Sequence, residues 1–198
     1  MKDNIVEALL QIPEETQTLE FKRLKGDKVV KKIVETIVAF TNTDGGMIVI
    51  GIDDPEKTTE KGLNRVYGIE ENRELYDEVM REVQRIVPPL SGIGSPDVIR
   101  VNNGKTVVLM QIPKSTTMLH SIDNSVLVRL HKSNKKLTPD EIVKMSYAKG
   151  FTKADRELVD IDFDLLDTNY YESWRDKRNI VASSIQDVLF KTGLARKN

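Results

Sequence analysis

The 198-residue chain has no cysteine and only two histidines, His120 and His131. Without cysteine there is no disulfide framework, no thiol nucleophile and no thiolate metal site. Two histidines far apart in the chain argue against a zinc site or a histidine-centred catalytic triad. Long apolar runs are missing too. The longest, around residues 47–52, is strand-sized and far short of the ~20 residues a membrane helix needs. The N-terminal Met1-Lys2-Asp3-Asn4-Ile5-Val6-Glu7 carries acid where a secretion signal has an unbroken apolar core. These absences lead to the expectation of a soluble, cytoplasmic protein with no membrane partner. A charge excess is also lacking: the formal net charge is −1, so no global basic field announces a polyanionic partner. Gly45-Gly46 stands outside any Gly-x-x-x-x-Gly-Lys-Ser/Thr pattern, which excludes a P-loop.

What the chain does have is a hydrophobic fraction of 39%, enough for a real core, and 31% charged residues. The charges are unevenly spread. Lys22, Arg23, Lys25, Lys28, Lys31 and Lys32 form one basic run, and Arg129, His131, Lys132, Lys135 and Lys136 a second, while residues 155–176 are acid-rich. Such asymmetry points to a basic surface on one part of the fold, and the two runs are expected to share it. Few aromatics lie among these basic residues, so stacking of single-stranded bases is not supported.

Hydrophobic periodicity outlines the elements. Residues 4–10 read as a short helix and 18–23 as a strand with Leu19 and Phe21 inward and Glu20 and Lys22 on a polar face. In 28–40 a wide stripe of Val29, Val30, Ile33, Val34, Ile37, Val38 and Phe40 marks the clearest helix. It ends at Asn42-Thr43-Asp44-Gly45-Gly46, a turn whose glycines permit positive φ. Residues 47–52, apolar on both faces, suit a central strand. A second helix is expected over 70–87, stopped by Pro88-Pro89. Strands at 98–101 and 105–112 flank the hairpin turn Asn102-Asn103-Gly104, and 125–131 alternates as another strand. Thr138-Pro139-Asp140-Glu141 is a capping box opening a helix to about Lys149. Beyond Gly150 the composition turns acidic and aromatic, with a last amphipathic helix over 180–192. The expectation is an α+β fold, a mixed sheet packed with helices over 1–150, followed by a C-terminal extension of linker and helix over 151–198.

Three carboxylates draw attention. Glu15 and Glu20 lie five apart, an odd offset that a regular strand would send to opposite faces. They converge only if the chain turns at Thr16-Gln17. Asp53 and Asp54 leave the end of the central strand, where side chains reach a crevice. Glu15, Glu20 and Asp54 together are the oxygen donors that Mg²⁺ or Mn²⁺ needs. They read equally as a surface acid, a partner for Lys22 and a turn.

Residues 15–22, Glu-Thr-Gln-Thr-Leu-Glu-Phe-Lys, resemble the E-[ST]-x-x-x-E-F-K opening of the Schlafen-type, AlbA-like domain. Residues 39–46, Ala-Phe-Thr-Asn-Thr-Asp-Gly-Gly, and 47–54, Met-Ile-Val-Ile-Gly-Ile-Asp-Asp, resemble its A-F-A-N-T-x-G-G and G-[VI]-x-D segments, and 126–133 its late V-x-R-x-x-x-S strand. Thr41 departs from the family's Ala-Asn context, and His131-Lys132 stands where a Gly is common. The resemblance covers roughly residues 10–150. It implies the family's fold and a nucleic-acid-binding module for RNA or DNA, with phosphate contacts here from Lys22, Arg23, Lys25, Lys28, Arg129, Lys132, Lys135 and Lys136. Such contacts position a polymer without reading its bases. The animal branch of the family implies an alternative, a divalent-metal endoribonuclease acting on structured RNA such as tRNA. Glu15, Glu20 and Asp54 would then be both the catalytic residues and the Mg²⁺ or Mn²⁺ ligands. A further alternative is a nucleotide-sensing or protein-interaction module of a regulator, with Gly45 and Gly46 shaping a ligand turn. Association into a homo-oligomer stays open.

Overall fold

A computed structural model describes residues 2–90, 92, 95–151, 169–178, 184–191 and 195. The chain divides into two compact units, Met1–Phe151 and Thr152–Asn198. The first is a mixed α+β fold. Its sheet has the order β1 (Leu19–Lys22), β2 (Gly46–Ile50), β4 (Thr106–Ile112) and β3 (Asp97–Arg100). β1 and β2 are parallel, joined by helix α2 (Val29–Asn42), while β4 runs antiparallel to both of its neighbours.

Alternation along the strands divides the core into two layers. Ile48 and Ile50 of β2, with Val108, Met110 and Ile112 of β4, meet the apolar stripe of α2. Val79 of helix α3 (Arg73–Glu82) joins the same layer. Val49, Val107 and Leu109 face the other way, where Leu19 and Phe21 pack with Val6, Leu9 and Leu10 of helix α1 (Lys2–Leu10). At ~25 cal/mol per Å² of buried apolar area, these two layers are the main stabilising term. The α2 stripe is buried throughout, from Val29 to Phe40.

Three expectations are revised. The second helix is shorter than 70–87: Asn72 caps α3, its side chain accepting the Leu75 N–H at 3.2 Å, and short 3₁₀ turns flank it at Ile69–Glu71 and Val83–Arg85. The late strand β5 (Leu127–Leu130) pairs with a strand that periodicity does not reveal, β6 (Ser133–Lys136), in a separate hairpin. That hairpin packs on α2, so the polar face of β1 is covered and Glu20 is buried. Helix α4 (Pro139–Ala148) starts at the capping box as expected, with both reciprocal hydrogen bonds of Thr138 and Glu141 formed.

In the second unit, helices α5 (Tyr171–Lys177) and α6 (Ile185–Lys191) are described. The anticipated helix over 180–192 is seen as Ile185–Lys191, and residues 180–183 and 192 lie outside the described residues. Among the described residues no helix is long and apolar enough to cross a membrane.

Candidate functional site

Residues 16–19 turn tightly, the Thr16 N–H donating to the Leu19 carbonyl at 3.0 Å and the Thr18 N–H to Thr16 Oγ1 at 3.2 Å. This turn defeats the odd offset and swings Glu15 back over β1, where Glu15 Oε1 accepts the Phe21 N–H at 2.9 Å. Glu15, Glu20 and Asp54 are each 5% exposed. Buried carboxylates need partners, because leaving an ion dry and unpaired costs several kcal/mol. Each of the three has one. Lys22 reaches from β1 to Glu20 Oε1 and stands 3.6 Å from Glu15 Oε1. Arg129 of β5 takes the other Glu20 oxygen through Nη2. Asp54 holds Lys57 and accepts the Glu56 N–H at 3.0 Å.

Arg129, 1% exposed, is the centre of this arrangement. Its Nη1 donates to Asn134 Oδ1 at 2.9 Å, Nη2 also reaches the Thr16 carbonyl at 3.3 Å, and the guanidinium lies 5.2 Å from the Phe40 ring centroid. Gln17 ties the turn to the same hairpin, donating to the Arg129 carbonyl at 3.1 Å and accepting the His131 N–H at 2.6 Å. Burial pushes the Glu15 carboxyl up, with Lys22 opposing and the negative charges of Glu20 and Asp54 reinforcing. Asp54 is held below its ordinary value: burial would raise it, but the Lys57 hydrogen bond, the Glu56 N–H and the Lys22 charge outweigh that.

The three acids thus lie close enough for their charges to act on one another. Their charges, however, are answered by three cations of the chain itself, Lys22, Arg129 and Lys57. Among the described residues no group of three or more carboxylate or imidazole side chains is gathered so as to hold a metal ion. Mg²⁺ and Mn²⁺ demand several oxygens at close range, and here the Lys22 ammonium stands between Glu15 and Glu20. As placed, these residues do not fit a divalent cation.

The same geometry places the basic residues from which phosphate contacts are expected. The two basic runs do meet, but in the interior, with Lys22 and Arg129 both on Glu20. Arg23 is held by Glu71 through a bidentate pair and by Asp53 at 3.4 Å, and its guanidinium lies 3.3 Å from the Tyr67 ring centroid. That network, with the Glu71 hydrogen bond leading, pushes the Arg23 guanidinium further up. Asp53 therefore belongs to Arg23 rather than to the acid cluster. Lys132 bridges Glu14 and Glu56, and Lys135 pairs with Glu141. Lys25, Lys28, Lys32 and Lys136 are exposed and enter no ion pair among the described residues. Lys28 is the N-cap of α2, whose first turn carries no acid.

Periodicity cannot find the part played by Asn134, Gln17 or Lys57. Only Arg129, within an alternating strand, carries a signal, and on pattern alone it reads as a surface group.

Comparison with known proteins bears on the same segments. No curated protein matches the chain. Among solved structures, the fold is similar to that of the DIP2311 protein from Corynebacterium diphtheriae, with 15% identity and a TM-score of 0.48 over 87% of this chain and 31% of that one. It is also similar to the N-terminal domain of a RecG-related protein from Nitrosomonas europaea, with 21% identity and a TM-score of 0.42 over 58% of this chain and 73% of that one. The family model described as Schlafen, AlbA_2 matches residues 15–138, more than half of the chain and every segment that builds the acid cluster. The chain belongs to the Schlafen AlbA_2 family.

Proposed function

We propose that this protein is a nucleic-acid-binding domain that holds RNA or DNA through phosphate contacts. The observation that carries the reading is the division of labour among its basic residues. Lys22, Arg23 and Arg129 are spent on carboxylates of the chain itself, whereas Lys25, Lys28, Lys32 and Lys136 stand in solvent with no acidic partner among the described residues. Lys28 and Lys32, four apart on α2, share one face of the helix. The acid-free first turn adds the positive end of the helix dipole to their charge. An anionic backbone gains from releasing counterions on such a surface, and gains nothing from lysines already neutralised within the fold.

A second reading, divalent-metal cleavage of structured RNA, is favoured by the nearness of Glu15, Glu20 and Asp54, whose charges act on one another, and opposed by the cations that answer them. One experiment separates the two. Labelled tRNA, single-stranded RNA and duplex DNA are titrated with the protein in low salt with EDTA, then incubated with Mg²⁺ or Mn²⁺. Salt-sensitive retention without cleavage is the expected result. Metal-dependent cleavage that Glu20→Gln abolishes would establish the enzyme, and failure to retain any polymer would overturn the binding reading.

A further inference from the structure

In an antiparallel pair, residues alternate between those that exchange N–H and C=O with the partner strand and those that turn them outward. In the β5–β6 hairpin Leu127 stands opposite Lys136, Val128 opposite Lys135, Arg129 opposite Asn134 and Leu130 opposite Ser133. The Leu137 N–H donates to the Val126 carbonyl at 2.9 Å, which sets the phase of the alternation. Val128 and Lys135 exchange hydrogen bonds, as do Leu130 and Ser133. Leu127 and Arg129 therefore turn their backbone groups to one outer edge, and Asn134 and Lys136 theirs to the other. The β5 edge is sealed by side chains. The Arg129 N–H donates to Thr43 Oγ1 at 2.8 Å, and the Arg129 carbonyl accepts Gln17 Nε2 at 3.1 Å. The Leu127 carbonyl accepts Asn42 Nδ2 at 2.9 Å. On the β6 edge, no such partner meets the N–H of Asn134 or Lys136 among the described residues.

The hydrogen bonds to α2 show which way this open edge looks. Asn42 and Thr43 hold β5 at the C-terminal end of the helix. Asn134 Nδ2 of β6 donates to Thr36 Oγ1 at 2.9 Å, nearly two turns closer to the helix N-terminus. The step from β5 to β6 thus runs toward the start of α2, and the open edge looks onto the next turn in that direction. That turn carries Lys32, whose carbonyl accepts Thr36 Oγ1 at 2.9 Å, and Lys28 lies one turn beyond. Residues 28, 32 and 36 fall four apart, on one face of the helix. Glu35, the acid on this stretch, is taken by Lys31 at 3.8 Å. The outward amides of Asn134 and Lys136 are two residues apart, about 6.7 Å along a strand. Lys28 and Lys32 are four apart, about 6 Å along a helix. Donors repeated at nearly one spacing suit a chain of regularly repeated anions. Lysines on an open edge also discourage pairing with another protein strand, which favours the anionic partner over an extended peptide.

We propose that the open edge of β6 is the main-chain part of the nucleic-acid surface: the N–H groups of Asn134 and Lys136 donate to phosphates of one strand, which continues over Lys32 and Lys28. The inference rests on the phosphate-binding reading above and deepens it. Main-chain N–H groups are regular donors to phosphate oxygens. Two variants of one residue separate the amide from the charge. Lys136→Gln removes the ammonium and keeps the N–H, while Lys136→Pro removes both. Proline is tolerated on an edge strand where the N–H looks outward, so both variants should melt close to the parent. Binding of labelled single-stranded RNA and duplex DNA by the full chain is then measured across a range of salt. Lys136→Gln should reduce the salt slope by about 0.7 on RNA and about 0.9 on DNA. Lys136→Pro should have the slope of Lys136→Gln, because a neutral amide displaces no counterion. It should nevertheless bind about tenfold more weakly than Lys136→Gln at every salt, the loss expected for one hydrogen bond to a charged group. In amide NMR spectra of the parent, the Asn134 and Lys136 N–H signals should shift on adding a short RNA, while the Lys135 signal, bonded within the hairpin, should move little. The NMR titration decides even where Lys136→Pro does not fold. A parent that retains no polymer overturns this inference together with the reading it rests on. A parent that binds while its Asn134 and Lys136 signals stay in place, or a folded Lys136→Pro that binds like Lys136→Gln, overturns this inference alone.

Discussion

Arg129 is among the largest side chains fully withdrawn from solvent, and it is charged. A guanidinium is tolerated there because it is planar and forked: it answers Glu20, Asn134 and the Thr16 carbonyl at once while its face lies near Phe40. Arg129→Met would keep much of the volume and strand Glu20 on Lys22 alone. Removing one partner of a buried pair costs about 3–5 kcal/mol, and urea denaturation should show a loss of that order. A loss below about 1 kcal/mol, the range of exposed pairs, would mean that the cluster does not hold the hairpin. Glu15 makes a prediction of sign. Its folded value is raised above the ordinary 4.5, so the folded state favours the protonated acid. Its contribution to stability is therefore full below 4.5 and declines as pH rises through the folded value. Glu15→Gln keeps an oxygen for the Phe21 N–H and abolishes that titration. The difference in unfolding free energy, variant minus parent, should rise between about pH 4 and pH 7. A difference that falls would show that Lys22 overcomes the burial of Glu15.

At the scale of elements, α2 carries the fold because its apolar stripe is buried against both the sheet and the hairpin. Ile37 is 0% exposed at the middle of that stripe. Ile37→Asp would place an unpaired carboxylate among Val, Ile and Met side chains and should cost roughly 3 kcal/mol or more. A thermal midpoint close to the parent's would refute the assigned inward face. This helix was legible in the sequence because its apolar residues repeat at helical spacing, and the central strand because 47–52 is apolar on both faces. Strand β6 was not legible: Ser-Asn-Lys-Lys has no alternation, and it is a strand only because Leu127–Leu130 pairs with it. The burial of Glu20 was hidden for the same reason. Local pattern places Glu20 and Lys22 on the polar face of β1, but a hairpin far along the chain covers that face. The turn that returns Glu15 to Glu20 was legible only as an option at Thr16-Gln17.

For the whole molecule, a net charge of −1 means that any hold on a polyanion comes from where charge is placed rather than from its sum. Within the two basic runs, ion pairs engage Lys22, Arg23, Lys31, Arg129, Lys132 and Lys135 and leave Lys25, Lys28, Lys32 and Lys136. Deleting one lysine that touches phosphate should reduce the slope of log affinity against log salt by about 0.9 on duplex DNA and about 0.7 on a single strand. Replacing Lys25, Lys28, Lys32 and Lys136 together with glutamine should therefore flatten the slope by about 3.6 or about 2.8 if every one touches phosphate. The weakening should be alike across sequences, since phosphate contacts carry no base information. Lys132→Gln is the comparison that gives this result its meaning. That ammonium is exposed but already shared between Glu14 and Glu56, so its removal should leave the slope nearly unchanged. If Lys132→Gln flattened the slope as much as any open lysine, pairing within the fold would not govern which lysines meet the polymer. A quadruple variant with the parent's slope would place the interface elsewhere on the molecule.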